Sequence, residues 1–454
     1  MPDDRDLADE SIRTGVLLTL GGSVSEEETA GFDQRRSQGS YARIMRAHDV
    51  VVIGAGLAGL RCALELARAG REVVVLEAGD TVGGRQRTDA VDGFLLDRGF
   101  QVLNPAYPAL RGVVDLDDLQ MRSFPVGARV RRADGVATLA HPLRHPQHLA
   151  ATLSSGLISV SEITALVRWL APARTARAFA DAADDELFAG WDAAGVRGPL
   201  RREVLEPFLA GVIADDDGRT SQNYVRLLLR LFTLGRPGLP ASGIAALPAQ
   251  IAVTTRRAGA DIRLSHAVRR LRRHRGAWEL KVAGADVIRA QEVVVAVDPG
   301  AVAAFTGLPS PAARGLQTWW FAGTEAPASA LLSVDGTRSG PLVNTVEMSR
   351  TAPSYAPPGR HLIAATSLYG ARPAATEGEV RAHLRHIWGP VAEGWDLLRR
   401  DDIAAALPAL PPPMRRAAPS RIGAGLHVAG DHRETPSIQG ALMSGVRAAR
   451  GILG

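Results

Sequence analysis

The stretch that most constrains this chain is DVVVIGAGLAGLRCALELARAGREVVVLEAG, residues 49–79. It opens with a short β-branched apolar run, the pattern of a strand buried on both faces. Leu57, Leu60, Leu64 and Ala67 then recur at helical spacing, and Gly70 closes the helix. A second β-branched run follows, so strand, helix and strand make a βαβ unit. Between the first strand and the helix stands Gly54-Ala55-Gly56-Leu57-Ala58-Gly59. A lone GxGxxG says little; a strand before it and a helix after it give it meaning. Gly54 permits the tight turn, Gly56 lets the backbone approach a pyrophosphate, and Gly59 lets helix and strand pack closely. The helix N-terminus adds unpaired N–H groups and the positive end of its dipole. Glu77 ends the second strand, 23 residues after Gly54. An acid there hydrogen-bonds both ribose hydroxyls of an adenosine half and disfavours a 2′-phosphate, hence NADP. In LEAGDTVGGRQRT, residues 76–88, Gly83 and Gly84 allow a second close backbone approach, and Arg85 brings a cation to the pyrophosphate.

Composition sets the class of the protein but not its partner. The chain has 454 residues, 46% hydrophobic and 22% charged, which excludes a wholly disordered chain, a collagen and a disulfide-stapled miniprotein. Net charge is +5, yet 52 of the 53 basic residues are arginine, spread along the chain among acids. That skew reads as a compositional habit, so no nucleic-acid partner is expected; contact with an anionic membrane surface suits it better. Cys62 is the only cysteine, which excludes an intramolecular disulfide and points to a reducing compartment. No run approaches the roughly 20 apolar residues of a spanning helix. The N-terminus opens with acids rather than a signal peptide, and no apolar segment follows Arg35 and Arg36. The expected location is cytoplasmic, with peripheral contact at a membrane as a further option. Residues 1–48 carry nine acids and six bases in polar, aperiodic sequence, which reads as a disordered leader. Met45 stands just before the first strand, so an over-long gene start is a second reading, decided by N-terminal sequencing of the native protein.

The run VVVIGAGLAGLRCALELARAGREVVVLEAGDTVGGRQRT resembles the flavin amine oxidase superfamily, which holds amine oxidases, protoporphyrinogen oxidase and phytoene-desaturase-like enzymes. HVAGDHRETPSIQGALMSGVRAA resembles the closing FAD motif of that group, and PFLAGVIADD with LPASGIAALPAQIA resembles its middle segments. The likeness runs from Val50 to the end, and FLLDRGFQVLNPAYP tilts it toward the desaturase-like members. The resemblance implies non-covalent FAD. By position, Ala78 joins the residues beside the ribose acid. Gly430 and Asp431 stand at a strand end, with Asp431 toward the ribityl chain or the pyrophosphate. Ile438, Gln439, Gly440 and Ala441 open a helix whose N-terminus faces the flavin pyrimidine ring and stabilises negative charge on reduced flavin. Val268 touches adenine through its backbone. Gly99, Phe100 and Gln101 lie near the isoalloxazine ring. Trp319, Trp320, Asn344, Tyr355 and His432 are candidates to line the substrate cavity, with core packing as the competing reading for each.

The implied fold is α/β: a Rossmann-like FAD-binding domain interleaved with a mixed sheet-plus-helix substrate domain. After the leader, FAD-binding segments are expected at 49–104, 241–300 and 421–454, a mostly helical substrate or cap region at 105–240, and a substrate domain at 301–420. The implied activity is FAD-dependent removal of a hydride and a proton from a mainly apolar small molecule, in a phytoene-desaturase-like dehydrogenation. Oxygen or a quinone would be the electron acceptor. The alternatives are oxidation of an amine or amino-acid derivative, and a non-catalytic flavin-binding protein. One departure bears on the choice. Many amine oxidases hold a water beside the flavin with a lysine, whereas the only lysine here, Lys281, falls in a predicted strand of the FAD half. No catalytic residue is assigned. Cys62, in the first helix, reads as a small core residue. No metal is expected: His141, His145 and His148 are interrupted by Pro142 and Pro146 and have no carboxylate close by. Asp215, Asp216 and Asp217 read as a solvated acidic turn. RRLRRHR, residues 269–275, reads as the exposed face of a strand and turn, with lipid-headgroup contact as its competing role.

Overall fold

A computed structural model describes residues 47–454 except 326, 328, 371, 372 and 416. The leader expected over 1–48 lies outside the described residues up to 46, and the first strand, His48–Ile53, takes in its last residue.

Three separated stretches of chain build one eight-stranded sheet. Its centre is parallel, with His48–Ile53 between Val73–Leu76 and Ile288–Val295. Asp261–Arg263 continues it on one side and Leu426–Val428 on the other, both parallel. Val268–His274 and Ala277–Val282 add an antiparallel ribbon beside the start of Ile288–Val295. The unbroken apolar runs of the sequence follow from burial on both faces. Val50, Val52, Val73 and Val75 enter one core with Leu60, Leu64, Ile251 and Leu442. Val51, Ile53, Val74 and Leu76 enter the opposite one with Leu280, Val293 and Val295. Each such side chain contributes roughly 1.5–3 kcal/mol of transfer free energy.

The helices Leu57–Arg68, Ala246–Arg257 and Ile438–Leu453 share the first of these cores. The first and last of them touch backbone to backbone: a Cβ on Gly445 would stand 2.4 Å from the carbonyl oxygen of Ala58. Cys62 is fully buried here, as a core residue.

A second sheet has seven strands, in the order Asp396–Pro408, Ala313–Gly323, His361–Tyr369, Leu342–Glu347, Leu332–Asp335, Gly127–Arg132 and Gly135–Ala140. It is antiparallel except between Leu332–Asp335 and Gly127–Arg132. The region 105–240 therefore supplies a hairpin to this sheet as well as helices. Those helices, among them Val160–Leu170, Leu187–Ala194, Glu206–Ile213 and Gln222–Leu234, close around Trp169, Trp191, Leu209 and Tyr224.

The acidic turn at 215–217 requires a correction. Asp215 is buried, not solvated. Its carboxylate accepts N–H groups from Asp217 at 2.9 Å and Thr220 at 3.1 Å. Arg314, at the start of the long strand 313–323, pairs with it at 3.1 Å. Residues 269–275 do form a strand and turn with most side chains exposed, and Lys281 is exposed on the neighbouring strand. His145 accepts the N–H of Val126 at 3.0 Å. Among the described residues no helix is long and apolar enough to cross a membrane.

Candidate functional site

The glycine turn leaves the parallel sheet at the end of His48–Ile53. Gly54 has φ +101, and a Cβ there would lie 2.5 Å from the carbonyl oxygen of Ala296, on the neighbouring strand's exit. A Cβ on Gly59 would lie 2.0 Å from the carbonyl oxygen of Gly54, so helix and turn meet without room for a side chain. Gly56 differs from both: a Cβ on it would meet nothing within 4 Å. It caps Leu57–Arg68 without any side-chain hydrogen bond, and the first turn carries no acid. Opposite it, Gly84 has φ +59, and its Cβ would touch only the Cα of Gly56, at 3.4 Å. Gly83 binds the turn directly, its N–H donating to the carbonyl of Ala55 at 2.9 Å. Two backbone segments thus border an open space at a helix N-terminus, the geometry that receives phosphate.

Glu77 stands at the far side of this turn. Its carboxylate accepts the N–H of Ala55 at 2.7 Å and of Gly79 at 2.8 Å, which fixes its position and leaves lone pairs for further donors. Ala78 lies between Glu77 and Gly79. Val268 begins the antiparallel ribbon, opposite Val282.

Arg85 reaches across the chain. It donates to Asp431 at 2.6 Å and to the carbonyl of Ala406 at 2.7 Å. Burial opposes the charge on Arg85, but Asp431, with Asp298 further off, outweighs it and holds the guanidinium pKa above its usual value. Asp431 is buried, one residue after Gly430, whose N–H donates to Ser444 at 2.6 Å. The GGR segment and the closing motif therefore form one unit, held by a charge-assisted bond. Beside it, both ring nitrogens of His432 are buried without a partner. Burial lowers the pKa of this ring to about 4, with Arg433 and Arg85 adding to the effect against Asp431. The ring is a neutral imidazole with a free donor and a free acceptor, next to the Arg85–Asp431 pair.

The closing helix Ile438–Leu453 is capped by Ser437, which accepts the N–H of Gly440 at 3.0 Å. The side chain of Gln439 accepts the N–H of Ala109 at 2.9 Å, tying this end to the loop after Asn104. Ile438 and Ala441 pack into the core. Gln101 donates to the carbonyls of Arg85 at 2.8 Å and Arg98 at 3.0 Å, so the segment 99–101 lies beside the GGR turn. Gly99 faces Ile403, and the N–H of Phe100 donates to Thr318 at 3.2 Å.

The five cavity candidates do not converge. Trp319 is buried against the helix Glu377–Trp388. Trp320 is buried on the opposite face and donates to Asp401 at 3.0 Å. Tyr355 is fully buried and donates to Asp97 at 2.9 Å. Asn344 is covered by the helix Glu206–Ile213 at Gly211. Of the five only His432 adjoins the GGR segment, through its neighbour Asp431. The sequence reading missed Ala296, Ser437, Ser444 and Gly445. The last two sit in SGVRAA, whose small residues on one helical face were the available signal.

These residues fit a dinucleotide with a pyrophosphate: an open space where a Cβ would meet nothing, a helix N-terminus without a side-chain cap, a fixed acid at the end of the second strand, and an unpartnered buried imidazole. The comparisons with known proteins agree. Putrescine oxidase of Kocuria rosea is 38% identical over 136 residues, 30% of this chain and 27% of that one. Phytoene dehydrogenase of Streptomyces griseus is 42% identical over 92 residues, 19% of this chain and 18% of that one. Both matches span well under two thirds of the relatives' own length. An oxidoreductase from Methanosarcina mazei shares the fold at TM-score 0.69, over 89% of this chain and 99% of that one, at 17% identity. The model of the family described as flavin containing amine oxidoreductase matches residues 57–453. The chain belongs to this family of flavin-containing amine oxidoreductases, and its cofactor is FAD.

Proposed function

We propose that the protein dehydrogenates a mainly apolar small molecule, in the manner of a phytoene desaturase, with FAD held non-covalently. When bound, FAD supplies the two-electron oxidation by taking a hydride from a substrate C–H. The neighbouring carbon would lose its proton to a base or water, leaving a C=C bond, with oxygen or a quinone as the final electron acceptor. In this reading Gly56 and Gly84 admit the pyrophosphate, and Glu77 takes the ribose hydroxyls. Arg85, held by Asp431, places its charge beside the phosphates. His432 is neutral at pH 7 and offers a hydrogen bond toward the ribityl side. Cys62 is buried in the first helix, which supports a non-covalent cofactor. Peripheral contact of a cytoplasmic protein with a membrane would bring an apolar substrate within reach.

The observation that carries the substrate class is the position of Lys281. It is the only lysine of the chain and lies exposed on the antiparallel ribbon of the eight-stranded sheet. No lysine is therefore on hand to hold a water at a flavin. The likeness to putrescine oxidase favours amine oxidation as the second reading. Anaerobic mixing of the purified protein with two substrate panels decides between them. Bleaching of the oxidised flavin band by polyenes or isoprenoids in detergent is expected. Bleaching by amines or amino acids would overturn the proposal, and a flavin that nothing reduces would favour a non-catalytic role.

A further inference from the structure

Seven of the twelve exposed large aliphatic side chains among the described residues fall within residues 143–167. Leu143, Val160 and Leu153 are 88%, 85% and 73% exposed. In the helix Val160–Leu170, Val160, Ile163 and Val167 share one face at helical spacing, and that face points to solvent. The opposite face is packed: Ala165 and Trp169 enter the helical core. The apolar stripe is thus additional to the one that holds the helix in place, and a cluster of this kind marks an interaction surface.

Charge identifies what it meets. Over residues 141–170 there are two arginines and a single carboxylate, Glu162. Glu162 is buried and spends its oxygens on the N–H groups of Gly198, Leu200 and Arg201, at 2.6, 3.2 and 3.1 Å. Arg144 and Arg168 are exposed and form no ion pair among the described residues. A surface with protruding aliphatic groups, unpaired arginines and no exposed carboxylate complements an anionic lipid surface. The basic run at 269–275 lacks this character, because Arg272 pairs with Glu279 and no large aliphatic residue there is exposed.

We propose that residues 143–167 form a docking surface for an anionic bilayer, on which the protein lies without spanning it. This surface gives the proposed membrane contact a location. It does not depend on the substrate class, because vesicle binding is read without turnover. The test is co-sedimentation of the full chain, flavin bound, with vesicles of phosphatidylcholine alone or mixed with phosphatidylglycerol. Binding to the mixed vesicles is expected to be about tenfold tighter or more. Val160→Asp with Val167→Asp should lower it about tenfold or more while flavin content stays unchanged. Arg144→Gln with Arg168→Gln should remove most of the anionic preference, and Arg269→Gln with Arg270→Gln should change little. The proposal fails if the wild type binds neither vesicle, or if the valine substitutions leave binding intact. It also fails if they instead dissociate a dimer in solution, which would assign the face to a second copy.

Discussion

Between Gly54 and Gly84 the protein is shaped by side chains that are missing; around Asp335 it is shaped by polar side chains that are buried and paired. At the glycine turns three backbone segments approach within contact, while a Cβ on Gly56 would meet nothing within 4 Å, where the proposed function puts a cofactor phosphate. In the second sheet, fully buried Asp335 accepts from Thr337, Ser339 and His383, the last at 2.9 Å. Burial works against this carboxylate, but its hydrogen bonds hold its pKa far below the usual range. The first region leaves open space beside Gly56. The second is complete in itself.

The largest effect that sharpens this contrast should come from Asp335→Ala. It strands the buried Nε2–H of His383 and unties the exposed Thr337 and Ser339, and should cost about 3 kcal/mol in denaturant unfolding, with flavin affinity affected only through folding. A group depressed in the folded state contributes stability above its unfolded pKa, near 4, and loses it as pH falls below that. Acid unfolding of Asp335→Asn should therefore be shallower than that of the wild type.

Asp97 should behave in the opposite sense. It is buried between Thr88, the N–H of Ile244 and Tyr355, and burial raises its pKa to about 6 despite those bonds. The folded state then holds a proton that the unfolded state releases near pH 4. Stability should fall as pH rises from about 4 to about 6, by about 2–3 kcal/mol, and stay level above that. The slope should vanish in Asp97→Asn; a slope that persists there would assign it to another group.

The glycine turn offers a sharper test, because two neighbouring glycines should give opposite results. Gly59→Ala forces a carbon onto the carbonyl of Gly54 and should cost the apo protein about 2–3 kcal/mol. Gly56→Asp puts a favourable cap on the helix, so apo stability should hold or rise by up to about 1 kcal/mol. Its charge toward the phosphate should nevertheless expel FAD. If both variants destabilise the apo protein alike, the space beside Gly56 is not open.

Among the destabilising changes Glu77→Ala should cost the least, about 1–2 kcal/mol for the two backbone N–H groups it releases. It should still purify with less flavin. Full retention would mean that the ribose contact lies elsewhere.

How much could be read from the sequence follows the same divide. The glycine turn is local: strand, turn, helix and acid lie within 31 residues, so spacing alone carries their geometry. The pair of Arg85 with Asp431 joins residues 346 apart, and only the resemblance brought both to the cofactor. Asp215 looked like part of an exposed acidic turn because its partner, Arg314, is 99 residues away. The hairpin at 127–140 was hidden by the arginines on its outward positions, and the edge strand Asp396–Pro408 by its charges. Trp319 and Trp320 are adjacent in sequence and therefore point to opposite faces of one strand, into two different cores.

The most direct test of the account is the identity and amount of flavin released when the purified full-length chain is denatured, compared with folded Gly56→Asp. The account predicts one FAD per wild-type chain, released entirely into solution, and none on the folded variant. Flavin that stays attached to the denatured chain, or FAD bound as fully by Gly56→Asp as by the wild type, would contradict it.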